Sequence, residues 1–500
     1  MSARRALRLP RGSALAWLLF LLLALTAARL IVAGLSPLAP DEAYYRVWSR
    51  ALQPGYLDDA PMVALWIRLG TWLAGATPLG VRLLGPPAAA LGSLLLYRAA
   101  SDLFPGPPRI GLIAVLFINA TLLFGAGSVI MTPDTPLLFF WTLGLFAMAR
   151  LIATGRGRWW LLAGLAAGLA LDSKYTALLF IAAIFLWLLL TAPARRWLRR
   201  PEPWLGLALA LIAFAPVIAW NAAHHWASFL KQGGRVGDWH PWDALRFETE
   251  LVLGQAGLFT PLVFAFAVAG TAYLARRAWR ANDPPSALVS LLTLLPAALF
   301  LEHALGDRVQ GNWPAILYPT AVLAAAALPG PAWSRWRWPA AGLGFLITAI
   351  VYLQALAAPF PLPPRLDPTL RQLGGWRQFA AAIAEEGRAQ DARFVATANY
   401  GDASELAFLQ TLPVVGLGPR WTYFRLPPAS PLIAGQSGLL LERTGAAAPD
   451  PRLWSLLSPP AEILRARNGL AAETFRLYRV RAKAGVTGAL LPGPDRGKQG

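Results

Sequence analysis

Long apolar runs alternate with short polar connections over most of the chain. A run of roughly 17–25 apolar residues is long enough to cross a bilayer as a helix. Eleven runs are legible, at about 13–35, 79–101, 110–130, 136–153, 159–171, 176–192, 204–222, 249–275, 285–303, 313–329 and 339–357. The pattern predicts a polytopic α-helical membrane protein with about 11 transmembrane helices. The first run follows Arg4, Arg5, Arg8 and Arg11 and lacks a clear cleavage site with a polar start behind it, so it reads as a retained helix. Arg29 inside it is expected to snorkel outward.

Basic residues in short loops set the orientation of such a chain. With the N-terminus inside, the inner loops hold Arg109, Arg156, Arg158, the cluster at 195–200, Arg276, Arg277, Arg280, Arg335 and Arg337. Nearly all loop acids then fall outside, among them Asp41, Glu42, Asp58, Asp59, Asp134, Asp172 and Asp307. The first outer loop, 36–78, is long, and residues 42–52 put Tyr45, Trp48 and Leu52 on one face of a helix suited to lie in the membrane interface. Residues 1–358 thus read as the membrane domain.

Hydropathy falls after 358, and Pro361-Leu362-Pro363-Pro364 marks a linker. Residues 359–482 read as a small α/β domain, with helices at 375–389 and 403–410 and strands at 393–398, 437–442 and 474–481. An odd number of spans places this domain on the periplasmic side. The Gly-rich and charged stretch 483–500 reads as a disordered tail.

Composition narrows the function. Hydrophobic residues make up 56% of the chain and charged residues 14%, against about 25% charged in a typical soluble domain. That excludes a soluble enzyme. With no cysteine, disulfides and thiolate chemistry are excluded as well. The net charge of +19 belongs largely to the inner loops, so it is a topology signal and no nucleic-acid partner is implied. Only four histidines are present, and no spacing demands a metal ligand set, although the outer acids leave a divalent ion open.

Ionisable residues near a membrane are costly and mark function. Here they gather on the outer side: Asp41, Glu42, Tyr44 and Tyr45; Asp58 and Asp59; Asp134; Lys174; His225 and Arg235; Arg308 and Asn312. A carboxylate can take a proton from an acceptor hydroxyl, and Lys or Arg can neutralise a phosphate leaving group. Both needs meet in the transfer of a sugar from a lipid phosphate. Asp41, Glu42 and Asp134 are the candidate catalytic acids. Lys174, Arg235 and Arg308 are the candidate phosphate ligands. Tyr44, Tyr45, Asp58, Asp59, His225 and Asn312 are candidate substrate contacts.

Asp41-Glu42-Ala43-Tyr44-Tyr45, followed by Asp58-Asp59-Ala60-Pro61-Met62-Val63-Ala64, resembles the first-loop signature of the protein O-mannosyltransferase and aminoarabinose-transferase family of GT-C glycosyltransferases. Thr132-Pro133-Asp134, Ser173-Lys174-Tyr175-Thr176, Asn312-Trp313-Pro314 and Asn399-Tyr400 through Glu405 add to it. The resemblance implies a GT-C-like fold in a bacterial inner membrane and a polyprenyl-phosphate sugar as donor substrate. It also implies a lipid A, glycan or protein acceptor, with hexosyl or pentosyl transfer at the periplasmic face. Asp41 would be the base or a positioning carboxylate, with Lys174 and Arg235 near the phosphate. One departure stands out: many relatives carry His-Pro-Pro or Lys-Pro-Pro where this chain has Asp59-Ala60-Pro61. The competing expectation is a polytopic transporter or lipid flippase with an outer domain, which would spread its polar residues through the midplane and both faces.

Overall fold

The computed structural model describes residues 11–106, 109–234, 241–410 and 412–494. Among the described residues, six helices are long and apolar enough to cross a membrane: Leu15–Leu35, Pro78–Leu103, Asp134–Thr154, Pro201–Ala223, Pro284–Ala304 and Pro331–Ala357. Five shorter apolar helices, Met62–Ala74, Ile110–Ala120, Trp159–Leu171, Tyr175–Leu190 and Trp313–Ala327, pack among them. Some contacts are made backbone to backbone. A Cβ on Gly164 would lie 1.9 Å from the carbonyl oxygen of Gly206, so the helices carrying these glycines cross at the closest approach two chains allow.

Two expected spans are broken. The run 249–275 is a bent pair, Pro241–Leu258 and Pro261–Ala281, meeting at 108°. Thr260 stands at the bend with φ 68°. It precedes Pro261, whose ring disfavours the helical conformation in the residue before it, so the two helices cannot fuse. The run 110–130 stops at Thr121, where the backbone is extended and the side chain accepts the Phe124 amide to start a second short helix, Leu122–Gly127. Arg29 does not snorkel. It is buried, donates from Nη2 to Asn119 Oδ1 at 2.9 Å and lies over the Phe124 ring.

The C-terminal domain is built on a seven-stranded mixed sheet of β1 (Val395–Thr397), β2 (Val414–Leu417), β3 (Ser437–Arg443), β4 (Trp454–Leu456), β5 (Ala461–Arg467), β6 (Leu470–Ala482) and β7 (Gly488–Leu490). The order is β4-β6-β3-β1-β2-β7, with β5 on the free part of β6. The three strands read from sequence fall on β1, β3 and β6. Helices Trp376–Ala389 and Tyr400–Leu409 match the two expected helices. The expected tail 483–500 is ordered in part, and residues 495–500 lie outside the described residues. Gly488–Leu490 pairs antiparallel with β2, because Ala489 and Leu491 are apolar and bury into the domain core.

The first-loop helix, Pro40–Arg50, packs its aromatic face against protein. The Tyr400–Leu409 helix and the segment around Trp421 cover its aromatic face. Trp48 is fully buried and stacks on Tyr56 with ring centroids 4.2 Å apart. Aromatic partners from the sheet domain satisfy the face that the sequence left for lipid.

A buried ion pair fixes this end of the molecule. Glu42 and Arg82 are 0% and 1% exposed. Arg82 donates from Nε to Glu42 Oε1 at 2.7 Å and from Nη2 to Oε2 at 2.5 Å. Its remaining donors reach the Ala33, Ser36 and Pro37 carbonyls and Ser36 Oγ at 2.7–3.0 Å. Glu42 also accepts the Ala39 amide at 3.0 Å and the Met131 amide at 2.9 Å. The pair therefore joins the end of the first span, the first-loop helix, the Pro78–Arg82 turn and the approach to Asp134. Removing one partner strands the other charge. Glu42→Gln or Arg82→Met should each cost about 3–5 kcal/mol, while the double variant should cost less than the two single costs added together. Chemical denaturation of the purified protein in detergent measures this.

Candidate functional site

Two clusters of polar side chains meet beside the Glu42–Arg82 pair. The first is built on the helix that Glu42 caps. Asp41 accepts a hydrogen bond from Tyr400 Oη at 2.9 Å and makes no ion pair among the described residues. Solvent reaches its carboxylate, while protein crowds the other sides. Loss of hydration lifts its pKa above the ordinary carboxylate range. The Asp58 and Glu42 charges add to that lift, and the Tyr400 hydrogen bond and Arg420 oppose it.

Asp58, half-buried, is bonded to Lys231 and Arg420 and accepts the Tyr44 hydroxyl at 2.6 Å. Gln232 holds the Asp58 carbonyl. Burial alone would raise the Asp58 carboxyl, but Arg420, Lys231 and the Tyr44 hydroxyl bring it below the usual range. The Arg420 guanidinium lies 4.4 Å from the Tyr400 ring centroid and 5.5 Å from that of Tyr44. These two tyrosine rings are themselves 4.7 Å apart. The first loop, the Ala227–Gly233 helix and the sheet domain are thus tied together around one carboxylate.

The second cluster centres on Asp134. Lys174 Nζ donates to its Oδ1 at 2.7 Å and Asn312 Nδ2 to its Oδ2 at 2.5 Å. Three residues far apart in sequence thereby share one site. Asp59 stands beside them, 7% exposed. Burial lifts its carboxyl to about 7 against the pull of Lys174, and the Asp134 and Asp58 charges add to the rise. Tyr45 bridges the clusters, since its hydroxyl feels Asp41, Asp59, Tyr400 and Asp58 together.

Other expectations change. Glu42 is fully buried with both oxygens engaged, so it positions the loop and is not free to act as a base. Arg308 is spent on the exposed Glu250, with Nε 2.6 Å from Oε2, and does not reach the acids above. His225 is exposed, with φ 55°, and joins neither cluster. Its neighbour His224 stacks on Trp220 instead. Arg235 lies outside the described residues. Among the described residues no group of three or more His, Asp or Glu is placed to hold a metal ion.

Residues 58–220 match the family model described as dolichyl-phosphate-mannose-protein mannosyltransferase. The fold matches the crystal structure of ArnT from Cupriavidus metallidurans bound to undecaprenyl phosphate, with a TM-score of 0.61 at 14% identity over 93% of this chain and 98% of that one. The chain shares the ArnT fold and is similar over part of its length to the O-mannosyltransferase family model. It is 29% identical over 298 residues to a lipid A galacturonosyltransferase, RgtD, of Rhizobium johnstonii, a match covering 59% of this chain and 61% of the relative. It is 28% identical over 310 residues to an undecaprenyl phosphate-α-4-amino-4-deoxy-L-arabinose arabinosyl transferase of Erwinia tasmaniensis, covering 56% and 52% of the two chains. Each match spans less than two thirds of the relative's length.

The sequence alone missed Arg420 and Arg82. Both are single arginines among 45 basic residues, and neither sits in a spacing that sets it apart. The one hint for Arg420 is its neighbour Trp421, because a basic residue set among aromatics is suited to a cation–π stack.

Asp59 yields a stability prediction. Its carboxyl binds a proton more tightly in the folded protein than in the unfolded chain, so stability falls as pH rises from about 4 to about 7. Asparagine carries no such charge. Asp59→Asn should be more stable than the parent at pH 8 by about 2–4 kcal/mol, with the gap closing toward pH 4. Denaturation midpoints across that pH range check it.

Proposed function

We propose that this chain is an integral-membrane glycosyltransferase that moves one sugar from a polyprenyl-phosphate carrier to an acceptor, with lipid A foremost. The names of its curated relatives support the chemistry, and the fold supports the class. The observation that carries the reading is the contrast between neighbouring acids. Asp41 is accessible and bonded only to a tyrosine, while Asp134 is bonded to Lys174 in the cluster that Tyr45 links to it. A base for the acceptor and a cation for the leaving phosphate are thus set in one site.

In this reading the acceptor hydroxyl attacks the sugar carbon and its proton passes to Asp41. The bond from that carbon to the phosphate oxygen breaks, and Lys174 neutralises the charge that develops. Direct displacement inverts the sugar carbon. Arg235 joins Lys174 on the phosphate. Tyr44, Tyr45 and Asn312 line the sugar and phosphate path, and Asp58 with Arg420 holds the sheet domain over it. The polyprenyl-phosphate sugar is a substrate, and no step needs a metal.

The same reading puts about 11 crossings in the bacterial inner membrane, counting the bent pair as one and the four shorter helices outside the first loop, with the N-terminus cytoplasmic. The membrane domain spans residues 1–358, and the following sheet domain is periplasmic. The transporter alternative gains nothing from polar clusters gathered at one end of the helices.

Deleting the gene should remove one sugar mass from lipid A or core glycan, read by mass spectrometry, and the wild-type gene should restore it. Asp41→Asn at normal abundance should not restore it, and transfer by the purified variant should drop by about 10²–10⁴-fold. Full restoration by Asp41→Asn would make Asp41 structural and overturn the mechanism. A deletion that alters no glycan would overturn the transferase reading.

A further inference from the structure

Asp59 is a second carboxyl beside a lysine already matched by a first. It sits on the turn between Tyr56 and Met62, where the Tyr56 amide donates to the Asp59 carbonyl at 3.3 Å and the Met62 amide to the Asp172 carbonyl at 2.9 Å. That pairing pins the turn against the segment carrying Lys174. Asp59 Oδ1 accepts the adjacent Ala60 amide at 2.9 Å, and its other oxygen has no hydrogen-bond partner among the described residues.

The charges facing it do not balance. Lys174 is the one cation near Asp59 among the described residues, and it is bonded to Asp134. Asp58 adjoins it in sequence but is engaged by Lys231 and Arg420. Tyr45, Tyr175 and Asp172 complete the titratable surroundings, and all three are neutral or acidic. One lysine thus serves two buried carboxyls before any substrate arrives. An entering phosphate brings a further negative charge, and like charges this close are relieved when one group keeps a proton. The buried, unpaired Asp59 is the group to keep it, because burial disfavours its charged form.

We propose that Asp59 holds a proton beside the donor phosphate and delivers it to the departing phosphate oxygen. This rests on the transferase reading above. As the acceptor oxygen bonds to the sugar carbon, its proton goes to Asp41. The carbon–oxygen bond to phosphate breaks, and its electron pair stays on the phosphate. The Asp59 proton neutralises that oxygen, and solvent reloads Asp59. The polyprenyl phosphate leaves as a monoanion.

Binding of undecaprenyl phosphate to the full-length protein in detergent tests this without knowledge of the sugar or acceptor. Calorimetry at pH 8 in two buffers of different ionisation enthalpy counts the protons taken up. The wild type should take up about one proton per lipid bound, and its affinity should weaken by up to about tenfold per pH unit above pH ~7. Asp59→Asn should lose that proton and that slope, and Asp59→Glu should keep both. Equal uptake by wild type and Asp59→Asn, or no uptake by the wild type, overturns the proposal. The wild-type measurement stands even where Asp59→Asn fails to fold. If the wild type binds no undecaprenyl phosphate at all, the transferase reading itself fails, and this inference goes with it.

Discussion

Burying an arginine and a glutamate together removes several kcal/mol of hydration from each ion, and only a filled set of hydrogen bonds returns it. At Arg82 and Glu42 the set is filled by groups from the stretch 33–39, which leads into the first-loop helix, and by the Met131 amide before Asp134. Neither of those segments can shift alone without leaving a charge or a carbonyl unpaired. Asp41 is the next residue along the helix from Glu42, and Asp134 follows Met131 by three positions. The reactive acids thus inherit their placement from a pair that does no chemistry. A salt bridge of this kind contributes little net stability, but it allows one arrangement of the loop and excludes others.

The adjacent acids Asp58 and Asp59 show how surroundings divide one side-chain type into two functions. Asp58 faces two cations and a hydroxyl and is held in its charged form. Asp59 points away from them toward a lysine already claimed by Asp134, and burial dominates. A single peptide unit thus separates an anchor from a proton carrier.

Much of this was legible in the chain. Asp134, Lys174 and Asn312 could be grouped in advance because a polar residue near a bilayer needs polar company, and few were on offer. The helices and central strands of the sheet domain followed from periodicity. Less legible were features that depend on distant partners. The first-loop helix looked lipid-facing because its aromatic face is complementary either to a membrane or to a protein surface. Only the fold shows that Tyr400, Trp421 and Phe424 cover it. Glu42 stood beside Asp41 as a second candidate acid, and the arginine that engages it lies forty positions away. The break at Thr260 was written in its neighbour Pro261, yet the hydropathy of the run hid it.

Arg420 reaches Asp58 across 362 positions of chain. A ribosome building this protein inserts the first loop early and supplies the arginine only after the whole helical domain has emerged. During that interval Asp58 has Tyr44 and Lys231 but lacks Arg420, Tyr44 lacks its covering guanidinium, and Asp41 has no Tyr400 to hold it. The order of synthesis therefore acts as a safeguard. A half-made chain already in the membrane carries the acids of the site without the geometry to use them, and the site is completed only when the sheet domain closes on it.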